Sequence, residues 1–271
     1  MGVLGELVEA ATRRAEALLP RMAELERRAG ESSSVPGLAA ALRRPSVAVI
    51  AEIKRRSPSK GDIAPGLSAA EQAAAYAAGG AAALSILTEP VRFGGADADL
   101  RAARLATRVP LLKKDFHVAP AQVLEARALG ASALLLIARA VSPAALCELA
   151  SLAHEVGLET LVEIRDEREL DAALDAGATV VGVNNRDLET LAIDLATGEA
   201  LVPRIPADRP AVFESGVLGP AEVERAARAG ADAVLVGSSV SAAADPAAAV
   251  RALTGVPRTG RGRVAAAGAP A

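Results

Sequence analysis

VAVIAEIKRRSPSKG, residues 47–61, begins as an apolar, β-leaning run and ends in charge. Val47, Val49, Ile50 and Ala51 read as a buried strand that delivers an acid, Glu52, and a base, Lys54, to its carboxyl end. A Ser-Pro-Ser turn and Gly61 follow, so a flexible loop leaves the charged tip. Strand, charged tip and loop describe one corner of a site in an α/β protein, because such folds place their chemistry on the loops that leave strand ends.

From that strand onward the pattern repeats. Short apolar runs predict strands at 47–53, 82–87, 109–113, 132–137, 159–164, 179–183, 210–213 and 233–236. Ala- and Leu-rich stretches predict helices near 68–78, 97–107, 119–129, 142–156, 167–176, 194–202, 219–229 and 245–253. Several helices stop at a Gly-Ala junction before the next strand: GGAAA at 79, GASA at 130, GATV at 177 and GADAV at 230. This is the C-terminal glycine stop of an αβ unit, used again and again. Eight such units with right-handed crossovers close most naturally into a (β/α)8 TIM barrel. A doubly wound open sheet is the alternative, but no G-x-G-x-x-G follows the first strand, so its dinucleotide-binding form loses its usual support.

The barrel is expected over 47–254. Residues 1–46 form a helical extension, led by an amphipathic helix over about 4–28 with Leu4, Leu7, Val8, Ala11, Leu18, Met22 and Leu25 at three- and four-residue steps. A short helical piece is expected at 37–42. After Thr254 the text turns to Gly, Pro, Ala and Arg without apolar period, and 255–271 reads as a disordered tail.

Composition narrows the function. A net charge of -3 argues against nucleic acid as a main partner, which needs a basic excess. No apolar run approaches the roughly 20 residues of a membrane helix, and the N-terminus lacks the early positive region of a secretory signal. The lone cysteine, Cys147, excludes an internal disulfide and suits a reducing cytoplasm. It reads as a small buried group inside a helix. No His/Cys/carboxylate cluster has metal-ligand spacing, and G-x-S-x-G and P-loop motifs are missing. No metal is expected, and a monomer is.

Rare residue types gather at the predicted strand ends. Only four of the 30 basic residues are lysines, at 54, 60, 113 and 114, and the only asparagines are Asn184 and Asn185. A lysine kept against such an arginine bias fits a task that guanidinium cannot perform, the release of a proton. In a parallel barrel all strand ends face one mouth. There they collect Glu52, Lys54, Glu89, Lys113, Lys114, Asp115, Phe116, Glu163, Asn184, Asn185, Arg186, Glu214, Ser215, Gly216, Gly237, Ser238 and Ser239. Strand alternation lets only one of Lys113 and Lys114 point inward, and the other should pair with a carboxylate. Lys113 and Asp115 are the charges expected to tune Lys114. Glu163 follows the apolar Leu161 and Val162, surroundings that suit a proton-exchanging acid. His117 is placed to reach the mouth, while His154 falls within a helix. The ESG and GSS turns at 214 and 237, at the ends of the last two strands, offer glycines and backbone N–H groups to a phosphate, so a phosphorylated small molecule is the expected ligand.

In order and spacing, AEIKRRSPSKG, LTEPVRFGG, LLKKDF, LVEI, VGVNNRDLETL, ESGV and VLVGSS resemble the indole-3-glycerol phosphate synthase family of tryptophan biosynthesis, over about residues 4–253. The resemblance implies a barrel with an N-terminal helical extension over its mouth. It also implies decarboxylative ring closure and dehydration of 1-(2-carboxyphenylamino)-1-deoxyribulose 5-phosphate, without a cofactor. Carried over onto this chain, Lys114 would be the general acid. Glu163, with Glu52 sharing or tuning the duty, would move the proton for dehydration, and Lys54 would hold the substrate carboxylate. Asn184, Arg186 and Glu214 would position hydroxyl, carboxylate and amine groups. Ser57, Ser215, Gly216, Gly237 and Ser238 would surround the phosphate, and Phe116 and Leu188 would line the aromatic pocket. The chain departs from the family's usual residues at Ala96, Arg165 and Phe213. Two other readings are a phosphosugar isomerase of the phosphoribosylanthranilate isomerase type, and a silent barrel that only binds a phosphorylated ligand.

Overall fold

A computed structural model describes residues 2–261 of the chain. Eight strands close on themselves: β1 (Ala48–Ile53), β2 (Ala83–Leu87), β3 (Leu111–Lys114), β4 (Ala133–Ile137), β5 (Glu159–Ile164), β6 (Val180–Asn184), β7 (Ala211–Glu214) and β8 (Ala233–Val236). Each pairs in parallel with its chain neighbours, and β8 closes onto β1 through the register Ile50↔Leu235. The expected (β/α)8 barrel is therefore present, with helices between successive strands. Left-handed backbone at the expected junctions, φ +87 at Gly130 and +73 at Gly177, stops the helices without the clash a Cβ would bring.

Twelve helices appear among the described residues. The extension holds α1 (Val3–Leu18), α2 (Met22–Glu31) and α3 (Leu38–Leu42). The barrel helices are α4 (Ala69–Ala78), α5 (Asp97–Ala106), α6 (Pro120–Ala128), α7 (Pro143–Glu155), α8 (Glu167–Asp175), α9 (Leu195–Leu201), α10 (Pro220–Arg228) and α12 (Pro246–Arg251). A single turn, α11 (Ser238–Ser241), sits between β8 and α12.

Strand alternation sorts the core into two shells. Val49, Ala51, Leu84, Leu134, Val181 and Val234 face outward to the helices, whereas Ile50, Leu112, Leu135, Leu161, Val212 and Leu235 fill the barrel. The extension seals this inner shell at both ends. Leu4, Leu7 and Ala11 of α1 join the inner cluster together with Phe116, and Leu38 and Leu42 of α3 join it together with Ala48 and Ala82. The helix expected over 4–28 is broken: Pro20 has no N–H to continue the ladder, and a 3-10 turn over Leu19–Arg21 redirects the chain so that Leu25 and Ala29 of α2 pack on Leu124 of α6.

The tail expected to be free from 255 onward is held over its first residues. Val47 N donates to Val256 O at 2.8 Å, Arg258 N donates to Pro45 O, and Arg261 reaches the buried Asp232 at 2.6 Å. The remainder of that tail, 262–271, lies outside the described residues. Cys147 is exposed rather than buried, because it falls on the outer face of α7 between the inward Leu146 and Leu149.

Candidate active site

The parity that places Ile50, Leu112, Leu161, Val212 and Leu235 inside the barrel carries two residues further to Glu52, Lys114, Glu163, Glu214 and Gly237. Polarity begins where the apolar layers end, at the carboxyl ends of the strands. The cavity there is lined by Glu52, Lys54, Lys114, Asp115, Phe116, Glu163, Asn184, Arg186, Leu188, Glu214, Ser215, Gly216, Gly237 and Ser238. All but one of the residues expected from the resemblance are thus brought together.

At the centre, Lys114 Nζ donates to Glu163 Oε2 and Glu214 Oε2, each at 3.1 Å. Burial opposes the ammonium charge, but Glu214, Glu163 and then Glu52 outweigh it and hold Lys114 above the usual lysine range. Lys113 and Asp115 are not what tunes it, contrary to expectation, because chain neighbours on a strand point away. Lys113 does so, pairing with Glu125 at 2.8 Å and Asp97 at 3.2 Å behind the barrel wall. Glu214 is pushed up to about 7, chiefly by burial and against the pull of Lys114. Its Oε1 is buried without a partner, and a Cβ at Gly182 would lie 2.0 Å from that oxygen. Only glycine at 182 leaves room for this carboxyl.

The network runs on from Glu163. Asn184 Nδ2 donates to Glu163 Oε1 at 2.9 Å, and Asn184 Oδ1 accepts from Ser215 Oγ at 2.8 Å and Arg186 N at 2.9 Å. Arg186 turns its Nη1 to Leu191 O at 2.8 Å and lines the cavity from the loop after β6. On the opposite side Lys54 Nζ pairs with Glu52 Oε1 at 2.6 Å. That pair lies against Gly237, where a Cβ would come within 2.5 Å of Glu52 Oε1 and 3.1 Å of Lys54 Nζ. Ser215 and Gly216 adopt left-handed backbone, φ +65 and +82, and α11 starts at Ser238, so two tight turns face the same side of the mouth.

Other strand-end residues serve the frame. Ser57 does not line the cavity; it is buried in a two-residue hairpin formed by Arg56–Ser57 and Gly61–Asp62, where its Oγ accepts from Lys60 N at 3.2 Å. Glu89 collects the N–H groups of Val91, Arg92 and Phe93 and so shapes the loop after β2. His117 does not line the mouth. It is buried, its Nδ1–H donates to Leu135 O at 2.7 Å, and burial and Lys113 push it down to about 4. Lys60, Phe93, Ile193, Val217 and Leu218 line the cavity although the pattern at strand ends did not select them. They sit inside loops, where period carries no signal; only the rarity of lysine marked Lys60. Among the described residues no group of three His, Cys, Asp or Glu side chains is placed to hold a metal.

The departures leave the cavity intact. Phe213 points outward, with its ring against Gly198 of α9; Arg165 approaches Asp187 at 3.4 Å; and Ala96 N donates to Asp99 at the start of α5.

Fold and mouth together define the class: a (β/α)8-barrel enzyme with a lysine held between carboxylates. Comparison with known proteins narrows it. Residues 6–253 match the model of the indole-3-glycerol phosphate synthase family. An indole-3-glycerol phosphate synthase of Nocardioides sp. is 54% identical over 77% of this chain and 80% of its own length. A protein of Streptomyces coelicolor named indole-3-glycerol phosphate synthase 2 is 47% identical over 94% of this chain and 99% of its own. A solved 3-hexulose-6-phosphate synthase from Salmonella typhimurium superposes with a TM-score of 0.62 over 76% of this chain and 96% of its own, at 15% identity, a likeness of fold alone. The chain belongs to the indole-3-glycerol phosphate synthase family.

Proposed function

We propose that Lys114, Glu163, Glu52 and Lys54 carry out the family's reaction in this chain, the conversion of 1-(2-carboxyphenylamino)-1-deoxyribulose 5-phosphate to indole-3-glycerol phosphate with loss of CO2 and water. The carrying observation is Lys114, a half-buried lysine whose Nζ donates to two carboxylates that favour its ammonium form. As the ring carbon bearing the carboxylate attacks the ketone, negative charge grows on the carbonyl oxygen, and Lys114 supplies its proton there. The bond from that ring carbon to its carboxylate then breaks, and CO2 leaves with rearomatisation.

Dehydration needs a proton delivered to the departing hydroxyl and another removed from the ring system. Glu163 is joined to Lys114 on one oxygen and to Asn184 on the other, so it is oriented to pass a proton. Glu52 shares this duty beside Lys54. Lys54 and Arg186 attract the substrate carboxylate, and Glu214, with one oxygen unpartnered, takes the anilino N–H. Phe116 and Leu188 give the ring an apolar wall. The Ser215–Gly216 turn and the Gly237–Ser238 turn hold the phosphate, with Lys60 as a further cation on the loop after β1. Ser57 joins them only by a shift of its hairpin. A reducing cytoplasm suits the exposed thiol of Cys147.

The experiment is direct. Purified protein is given the carboxyphenylamino substrate, and indole fluorescence is followed; steady growth with stoichiometric CO2 supports the reading, and a silent protein ends it. Isomerisation of phosphoribosylanthranilate under the same conditions would favour the isomerase reading instead.

A further inference from the structure

The chain has two asparagines, adjacent at the end of β6, and only the first faces the cavity. Asn185 is fully buried behind the wall, and each polar atom of its side chain is used. Its Nδ2 donates to Glu214 O at 2.8 Å and to Ser215 O at 3.2 Å, while its Oδ1 accepts from Gly198 N at 2.8 Å. Its backbone adds two more bonds, donating to Glu214 O at 3.0 Å and accepting from Asp194 N at 2.9 Å. One side chain therefore ties the end of β7 to α9. The fit is close from the helix side as well: a Cβ at Gly198 would come within 2.2 Å of the Phe213 ring and 2.8 Å of Asn185 Oδ1.

The tied segment is one where the backbone does something costly. Ser215 has φ +65, a conformation a non-glycine residue keeps only when its surroundings hold it there, and Gly216 follows at φ +82. The carbonyls that Asn185 grips, Glu214 O and Ser215 O, belong to the same peptide units as the N–H groups of Ser215 and Gly216. Strand pairing ends at Glu214, so nothing in the sheet itself fixes the turn.

We propose that Asn185 is a positioning residue that sets the Ser215–Gly216 turn in its left-handed form, aiming the turn's N–H groups at the phosphate of the substrate. The inference rests on the reading of that turn as part of the phosphate site. Asn185 touches no ligand; it acts through Glu214 O and Ser215 O. An aspartate at 185 keeps the acceptor for Gly198 but puts an oxygen against two carbonyls, so the clip should open on the β7 side alone.

The test compares wild type, Asn185→Asp and Gly198→Ala, the last reaching the clip from the helix without entering the mouth. Binding of inorganic phosphate is measured by calorimetry, and KM and kcat with the carboxyphenylamino substrate. Expected in both variants is a rise in the phosphate Kd and in KM by a common factor of about ten, with kcat within about threefold, as lost pre-organisation of an anion site requires. Folded variants with unchanged phosphate affinity, or with a loss confined to kcat, overturn the role of Asn185. Should Asn185→Asp fail to fold, Gly198→Ala decides alone by the same two outcomes. A wild type that turns over substrate but ignores phosphate removes the phosphate reading of the turn and the inference with it. A wild type that binds phosphate yet lacks turnover removes the assigned activity, and the variants' phosphate affinities then still decide the role of Asn185.

Discussion

Arg14, on the helix that crosses the barrel mouth, grips Asp115 with two hydrogen bonds of 2.9 and 2.8 Å, one residue after the central lysine. Asp115 also accepts from Thr88 Oγ1 at 2.7 Å and from its own neighbour, Phe116 N, at 2.8 Å. The extension is thereby fastened to the strand end that presents Lys114 and Phe116 to the cavity.

Removing that clasp should loosen both lid and site. Arg14→Ala leaves a buried carboxylate with one fewer charged partner and should cost about 2 kcal/mol or more in denaturant unfolding. Its KM should rise while Lys114 stays in place. An unchanged unfolding midpoint would show that α1 is held by its apolar face alone.

The same pair sets an acid limit. Burial disfavours the Asp115 carboxylate, but Arg14 and Lys113 more than compensate and hold it at about 2, below its ordinary 3.8. The folded state therefore binds fewer protons than the unfolded one in that interval. Its stabilisation is complete above about pH 4 and is lost as pH falls towards 2. Asp115→Asn should flatten this part of the acid-unfolding curve, and parallel curves for the two proteins would contradict it.

Glu214 acts in the opposite sense. Burial first, then Glu163, raise it to about 7 against Lys114. An unfolded chain releases this proton near 4.5, whereas the folded chain keeps it to about 7, so folding should weaken as pH rises between those values. Thermal melts of wild type and Glu214→Gln across pH 5 to 8 should show the slope reduced in the variant. An equal slope in both would assign the dependence to another group.

Gly182 makes room for that carboxyl: a methyl group there would lie only 2.0 Å from Glu214 Oε1 and 2.8 Å from Leu161 Cδ2. Gly182→Ala should displace Glu214 and lower kcat/KM by about tenfold or more, with a stability loss of about 1–3 kcal/mol from overpacking. A variant with native kinetics would mean that Glu214 is free to move without consequence.

Much of this arrangement was legible in the sequence because a barrel converts order along the chain into position around a mouth. The apolar runs and Gly-Ala junctions located all eight strands, and alternation required that Lys113 and Lys114 part company, one into the mouth and one to a carboxylate behind it. What escaped was of a different kind. Pro20 broke a helix whose apolar period continued through it, and the backbone of 255–261 found partners in Val47 and Pro45 that no composition rule anticipates. Lys60, Ile193 and Leu218 reach the cavity from loops, and Glu89 and Asn185 spend their polar atoms on backbone, as strand-end position alone does not reveal.

Whether Lys114 gives a proton to the substrate carbonyl is decided by turnover of Lys114→Arg, with its fold verified by circular dichroism. Guanidinium keeps the charge between Glu163 and Glu214 but does not release a proton, so kcat should fall by about 10²-fold or more while the protein still binds phosphate. Indole fluorescence growing at close to the wild-type rate would contradict the account.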